Sequence, residues 1–144
     1  MEWLNELSGT TVALDTAPLI YFIERNPKYL PLVLPFFEAV ERGEVEVVTS
    51  TLTLTEVLIH PYRYGNRALA QRYSDILLHS TGVRTLAVSA GIRARHGLKT
   101  PDSIQLATAL SAKATAFLTN DGELAAIPGL RVIELDRLLA SPRH

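Results

Sequence analysis

Short apolar runs alternate with longer amphipathic segments along this chain. The runs have the length and composition of buried strands, and they cover residues 11–14, 45–48, 84–88, 114–118 and 130–133. Helical patterns separate them, at residues 18–23, 32–42, 52–59, 67–79, 90–96 and 100–112. Buried strands that alternate with helices are typical of a parallel sheet covered on both faces. The pattern therefore predicts an α/β fold, a three-layer α/β/α sandwich around a central, mostly parallel sheet.

Prolines mark the predicted ends of two helices. The helix that precedes Pro61 is expected to end at Ile59, because the residue before a proline disfavours the helical conformation. Thr100, Pro101 and Asp102 have the composition of a helix start. They supply an N-cap, a proline in the first turn and an acidic group that complements the helix dipole.

The chain has 144 residues, of which 47% are apolar and 20% are charged, and these values are typical of one globular domain. We expect residues 1–144 to form a single domain that needs no disulfide or structural metal to fold. The absence of cysteine excludes thiol nucleophiles, cysteine-ligated zinc and iron–sulfur clusters. No signal peptide or membrane-spanning segment is indicated, so the cytoplasm is the expected location.

Charge is distributed unevenly, although the formal net charge of the chain is only −1. Residues 1–59 hold nine acidic and three basic side chains, whereas residues 60–99 hold seven basic side chains and one acidic one. An acidic part beside a basic part suits a cation-binding centre next to a path for a polyanion. Charge alone favours the alternative, which is two ordinary solvated faces.

Four carboxylates are candidates for such a cation-binding centre. In a parallel sheet the carboxyl ends of all strands lie at one edge, where ligands bind. Asp15 directly follows the first strand and Asp121 lies just beyond a later one, so both are expected at this edge. Glu56 lies inside an apolar helix, and Asp102 lies in a first helical turn. Single acids of this kind are often caps or turn formers, but carboxylates crowded together require a cation, and their oxygens select Mg²⁺ or Mn²⁺.

Four short motifs resemble those of the PIN-domain ribonucleases, and most closely those of the VapC-type toxins of prokaryotic toxin–antitoxin pairs. They are VALDT at residues 12–16, STLTLTEV at 50–57, LKTPDSIQLATA at 98–109 and FLTND at 117–121. Each motif is short, but their order and spacing together are specific and span nearly the whole chain. The acidic positions of the family fall on Asp15, Glu56, Asp102 and Asp121, and its hydroxyl residue falls on Thr119.

The resemblance implies a metal-dependent endoribonuclease that hydrolyses RNA phosphodiester bonds with Mg²⁺ or Mn²⁺. It implies that the four carboxylates hold the metal, while Thr119 orients a carboxylate or a water molecule. It also implies a homodimer and a cognate antitoxin protein that neutralises the activity. Apolar residues in the N-terminal half exceed what one small core needs and suggest the surfaces for these partners. They are Tyr21, Phe22, Tyr29, Leu34, Phe36 and Phe37.

The basic region supplies candidate contacts to the phosphates of the RNA. These candidates are Arg63, Arg67, Arg93, Arg95 and Lys99. Tyr62 and Tyr64 lie among them and are candidates for stacking on bases. Two alternatives stay open: a catalytically inactive PIN-fold scaffold that binds RNA or protein, and a DNA nuclease with the same metal centre. The complete acidic set counts against the scaffold, because a scaffold has no need of four mutually repelling carboxylates.

Overall fold

The structure is a computed structural model, and it describes residues 1–87, 101–121 and 129–140, with the side chains of residues 101–103 excepted. The helix predicted over 90–96 therefore lies outside the described residues. The same is true of three candidate RNA contacts, Arg93, Arg95 and Lys99.

The described residues form five strands and seven helices that follow the predicted alternation. The strands are β1 (Thr11–Leu14), β2 (Glu46–Ser50), β3 (Val83–Leu86), β4 (Ala116–Thr119) and β5 (Arg131–Glu134). The helices are α1 (Glu2–Asn5), α2 (Thr16–Ile23), α3 (Leu30–Glu41), α4 (Thr51–Arg63), α5 (Arg67–His79), α6 (Pro101–Ser111) and α7 (Leu135–Ala140). None of the described helices is both long enough and apolar enough to cross a membrane.

All five strands are parallel and form one sheet in the order β3-β2-β1-β4-β5. On the central strand β1, Ala13 pairs with Val48 on one side and with Phe117 on the other. Val12 and Leu14 face the larger core, which α1 to α5 and α7 cover. Ala13 faces the opposite way, into a smaller core under α6. The predicted α/β/α sandwich is therefore confirmed, and its sheet is parallel throughout.

The predicted end of α4 at Ile59 is wrong, because the helix continues through Pro61 to Arg63. Pro61 lies in the last turn, so it forfeits one hydrogen bond near the helix end and leaves the middle of the helix intact. Its carbonyl accepts a bond from the backbone N–H of Asn66, and its ring is buried. Burial of the ring and this bond stabilise the continued helix.

The aromatic residues singled out in the N-terminal half pack wholly or partly against the larger core, so much of the expected apolar surplus is used within the protein. Phe36, Phe37 and Tyr29 are buried, and the other three residues of that set are half-buried. The ring of Tyr21 stacks on that of Tyr29 with centroids 4.1 Å apart. The short helix α1, which the sequence pattern missed, places Trp3 against Phe36 at a centroid distance of 6.3 Å. The aromatic rings of this set therefore pack in or against the larger core, and Leu34 is half-buried.

Gly82, in the turn before β3, is a position where the fold requires glycine. Its φ is +87°, and a Cβ there would lie 3.2 Å from the carbonyl oxygen of Val40. We expect Gly82→Ala to lower the free energy of unfolding by about 1–3 kcal/mol, because it adds both left-handed strain and a backbone contact. Gly65→Ala is the matched control, since its φ is +66° but a Cβ there meets no atom within 4 Å. Urea unfolding measures both, and equal losses would contradict a role for the contact.

Candidate active site at the carboxyl edge of the sheet

The strand order reverses at β1 and creates a crevice at the carboxyl edge of the sheet. The chain passes from β1 to β2 on one side and later returns to β4 on the other side. In open parallel sheets, ligands bind at such a switch point, just outside the carboxyl ends of the strands. Leu14 at the end of β1 pairs with Leu118 of β4, so the residues that follow them emerge side by side at this edge.

Asp15 follows β1 and is held by hydrogen bonds on both carboxylate oxygens. Its Oδ1 accepts the backbone N–H of Thr16 at 2.8 Å and thereby caps α2. This cap explains why α2 begins two residues before the predicted start at Pro18. Its Oδ2 accepts the hydroxyl of Thr119 at 2.7 Å. Thr119 is fully buried and its Oγ1 also accepts the backbone N–H of Asp121 at 3.0 Å, so the carboxylate of Asp15 has a fixed direction.

Glu56 reaches the same edge on α4, which begins directly after β2. Its side chain is half-buried, and its Oε2 accepts the hydroxyl of Thr16 at 2.6 Å. Because Thr16 is the next residue after Asp15, this bond links the cap of α2 to the carboxylate of Glu56. The structure therefore brings together two of the four predicted acidic side chains.

The other two predicted acidic residues, Asp121 and Asp102, lie after β4 and at the start of α6, respectively. Asp121 is half-buried and lies two residues after the end of β4. Asp102 lies in the first turn of α6, but its side chain is outside the described set. Among the side chains that the structure does describe, no group of three acidic or histidine residues is placed to hold a metal ion. The four-carboxylate centre thus stays a prediction that needs Asp102 for its completion.

Three polar side chains that support Glu56 were not evident from the sequence pattern. Ser50 at the end of β2, Thr53 in α4 and Gln105 in α6 are buried and hydrogen-bonded to one another. Two signals were available in the sequence. Gln105 interrupts an apolar stretch of its helix, and Thr53 lies one helical turn before Glu56.

Two further polar contacts anchor α2, the helix that Asp15 caps. The side-chain amide of Asn120 donates to the hydroxyl of Tyr21 at 3.2 Å, which ties the end of β4 to α2. The phenol of Tyr73 in α5 donates to Glu24 at the other end of α2. Burial, and this carboxylate as partner, raise the pKa of Tyr73, so the phenol keeps its proton and stays the donor.

The donor set at this edge fits a hard divalent cation. Asp15, Glu56 and their threonine partners present only oxygen atoms, which Mg²⁺ and Mn²⁺ prefer to nitrogen or sulfur. Each carboxylate oxygen has two lone pairs, so the bonds from Thr16 and Thr119 leave lone pairs free for a metal. Asp15 and Glu56 therefore suit a metal with oxygen ligands, with Asp102 and Asp121 as the further candidates.

Solved structures of toxin–antitoxin complexes resemble this fold. The crystal structure of VapBC2 from Rickettsia felis, bound to a DNA fragment from its promoter, aligns with a TM-score of 0.61 at 18% identity over 86% of this chain and 98% of that one. A toxin–antitoxin complex from Klebsiella pneumoniae aligns with a TM-score of 0.54 at 24% identity over 83% of this chain and 94% of that one. A search of the curated proteins gives no significant match. At these identities the two structures show a shared fold.

A sequence model of the PIN domain matches residues 12–130. The matched stretch begins in β1 and ends just before β5. It therefore contains four strands of the sheet and all four candidate acidic residues. The chain therefore belongs to the PIN domain family.

Proposed function

We propose that this protein is a metal-dependent endoribonuclease of the VapC toxin type, which hydrolyses RNA phosphodiester bonds and is neutralised by a cognate antitoxin. PIN domains are generally nucleases and are typically dependent on a divalent metal. The observation that carries the proposal is the link between Asp15 and Glu56 through Thr16 at the switch point of the sheet. Two half-buried carboxylates that both accept hydrogen bonds from Thr16 at that position suit metal binding better than a scaffold role.

Each residue of the proposed site has a separate task. Asp15, Glu56, Asp102 and Asp121 would hold Mg²⁺ or Mn²⁺. The bound metal would supply an activated water molecule and neutralise charge on the scissile phosphate. Thr119 holds one oxygen of Asp15, and Thr16 holds one oxygen of Glu56, so both carboxylates are oriented before a metal arrives.

An antitoxin partner and a homodimer are also part of the proposal. The structures with a similar fold are toxin–antitoxin complexes, and this supports a partner protein for the present chain. Exposed apolar side chains on the described residues offer contact surfaces for it. They are Met1, Ile59, Tyr62, Tyr64, Leu78, Leu110 and Leu139.

The experiment that tests the activity is cleavage of labelled RNA and labelled DNA by the purified protein. We expect cleavage of RNA with Mg²⁺ or Mn²⁺ and none with EDTA. Cleavage of RNA that persists in EDTA would contradict the metal site, and cleavage of DNA alone would assign the same centre to a DNA nuclease. Binding of RNA without cleavage in any metal would favour the scaffold.

Arg67 is a candidate phosphate contact at an open groove between α4 and α5, which Tyr62 also lines. Arg63 and Arg67 are exposed on the same helical hairpin, and Tyr62 is 66% exposed. Replacing Arg67 with Gln is expected to weaken RNA binding several-fold and to reduce the slope of log affinity against log salt by about 1. Fluorescence anisotropy at several salt concentrations measures this.

Arg42→Gln is the matched control for that variant. Arg42 is also exposed, but it is paired with Glu44 at 2.8 Å just before β2, at the opposite edge of the sheet from the candidate site. Its loss is expected to leave RNA affinity and salt dependence unchanged. Equal effects of the two substitutions would show that RNA affinity depends on the total charge of the protein and that this groove has no particular role in RNA binding.

A further inference from the structure

A chain of hydrogen bonds runs through the interior from the end of β2 to the carboxylate of Glu56. The hydroxyl of Ser50 donates to Oε1 of Gln105 at 2.6 Å, and Nε2 of Gln105 donates to the hydroxyl oxygen of Thr53. The hydroxyl oxygens of Thr53 and Thr16 are 3.4 Å apart, and Thr16 donates to Glu56 at 2.6 Å. Ser50 and Thr53 have no exposed surface and Gln105 is 4% exposed, so the first part of the chain is shielded from solvent.

The donors in this chain all point toward Glu56. An ionised carboxylate can only accept hydrogen bonds, so Thr16 donates its single hydroxyl proton to Glu56. Thr53 is therefore the donor in its contact with Thr16, and its oxygen is left to accept from the amide of Gln105. Hydrogen bonds aligned in one direction polarise and strengthen one another in a protein interior.

We infer that Thr53 and Gln105 are positioning residues for metal binding at Glu56: they hold the hydroxyl of Thr16, and through it the carboxylate, in one orientation. The inference rests on the proposed function, which gives that orientation a purpose. Gln105 also lies one helical turn after Asp102 in α6. Its amide thus ties the helix that carries one candidate ligand to the helix that carries another.

Thr53→Val tests the inference because it removes the hydroxyl and keeps the shape of the side chain. We expect Mn²⁺ to bind to the full-length protein about tenfold more weakly, since residues that orient metal ligands commonly contribute 10–100-fold. Electron paramagnetic resonance of free Mn²⁺ measures this without RNA. The kcat for RNA cleavage is expected to fall by a similar factor with an unchanged KM. Thr53→Ser, which restores the hydroxyl, is expected to recover most of the affinity.

Thr108→Val is the matched control. Thr108 is 2% exposed, and its hydroxyl donates to the carbonyl of Ile104 in its own helix at 2.9 Å. Both valine variants lose a buried hydrogen bond, but only Thr53→Val is expected to lose affinity for Mn²⁺. Equal losses in the two variants, or no loss in Thr53→Val, overturn the inference.

Two more variants cover the remaining outcomes. Gln105→Met removes the amide at similar side-chain length and is expected to lose the same Mn²⁺ affinity. It replaces Thr53→Val as the test if that variant does not fold. Glu56→Gln separates the two proposals. If Glu56→Gln loses Mn²⁺ while the Thr53 and Gln105 variants bind it normally, the positioning inference fails and the proposed function stands. If Glu56→Gln binds Mn²⁺ as tightly as the wild type, both fail.

Discussion

Replacing Asp15 with Asn is expected to lower kcat for RNA cleavage by about 10²–10³-fold, which corresponds to several kcal/mol of lost metal-assisted stabilisation. The substitution removes the negative charge that attracts the cation. It preserves the structure, because Asn is as good an N-cap as Asp and its side-chain oxygen can still accept one of the bonds that Asp15 accepts from Thr16 and Thr119. Cleavage kinetics with Mn²⁺ measure the fall in kcat, and unfolding of the same preparation in urea measures whether the stability is preserved.

Asp75→Asn is the control for that variant. Asp75 is exposed on α5, where its Oδ1 accepts the side-chain amide of Gln71 at 2.7 Å. The change removes the same charge at a position remote in sequence from every candidate ligand, and wild-type kcat is expected. Wild-type kcat for Asp15→Asn as well would remove Asp15 from the site.

Replacing Phe36 with Ala is expected to lower the free energy of unfolding by about 3–5 kcal/mol, the usual cost of deleting a buried aromatic ring. Phe36 has no exposed surface, and its ring lies between those of Trp3 and Phe37 at centroid distances of 6.3 and 5.3 Å. Its loss would leave a cavity between α1 and α3. For a protein of this size, the midpoint of thermal unfolding would fall by about 10–17 °C.

Leu78→Ala is the comparison for Phe36→Ala. Leu78 is a large apolar residue in a helix, but it is 53% exposed. Its replacement is expected to change the free energy of unfolding by no more than about 0.5 kcal/mol. A loss of less than 1 kcal/mol for Phe36→Ala would contradict the described packing of the N-terminal aromatic residues.

The sheet was predictable from the sequence chiefly because its three central strands, β2, β1 and β4, are buried on both faces. Such strands read as continuous apolar runs, and β1 coincides with the run at residues 11–14. The short helices α1 and α7 were not predicted, because four and six residues are too few for a helical period to stand out. The end of α4 was also missed, since burial of the Pro61 ring, which favours the longer helix, depends on tertiary packing and leaves no local signal.

The candidate site was predictable in outline for a topological reason. Parallel strands place their carboxyl ends at one edge, which is sufficient to expect Asp15 and Asp121 there. Glu56 stood out because it is an acid within an apolar helix. The hydrogen bonds donated by Thr16 and Gln105 depend on how α2, α4 and α6 pack together and on the resulting rotamers. The spacing of residues along the chain does not reveal that packing.

The most direct test of the central claim is an anomalous difference map from crystals grown with Mn²⁺. We predict a peak at the carboxyl edge of the sheet, within coordination distance of the carboxylate oxygens of Asp15 and Glu56. Asp102 is expected to complete the ligand set from the first turn of α6. A map in which both carboxylates are ordered and Mn²⁺ is bound elsewhere would contradict a metal centre at this site.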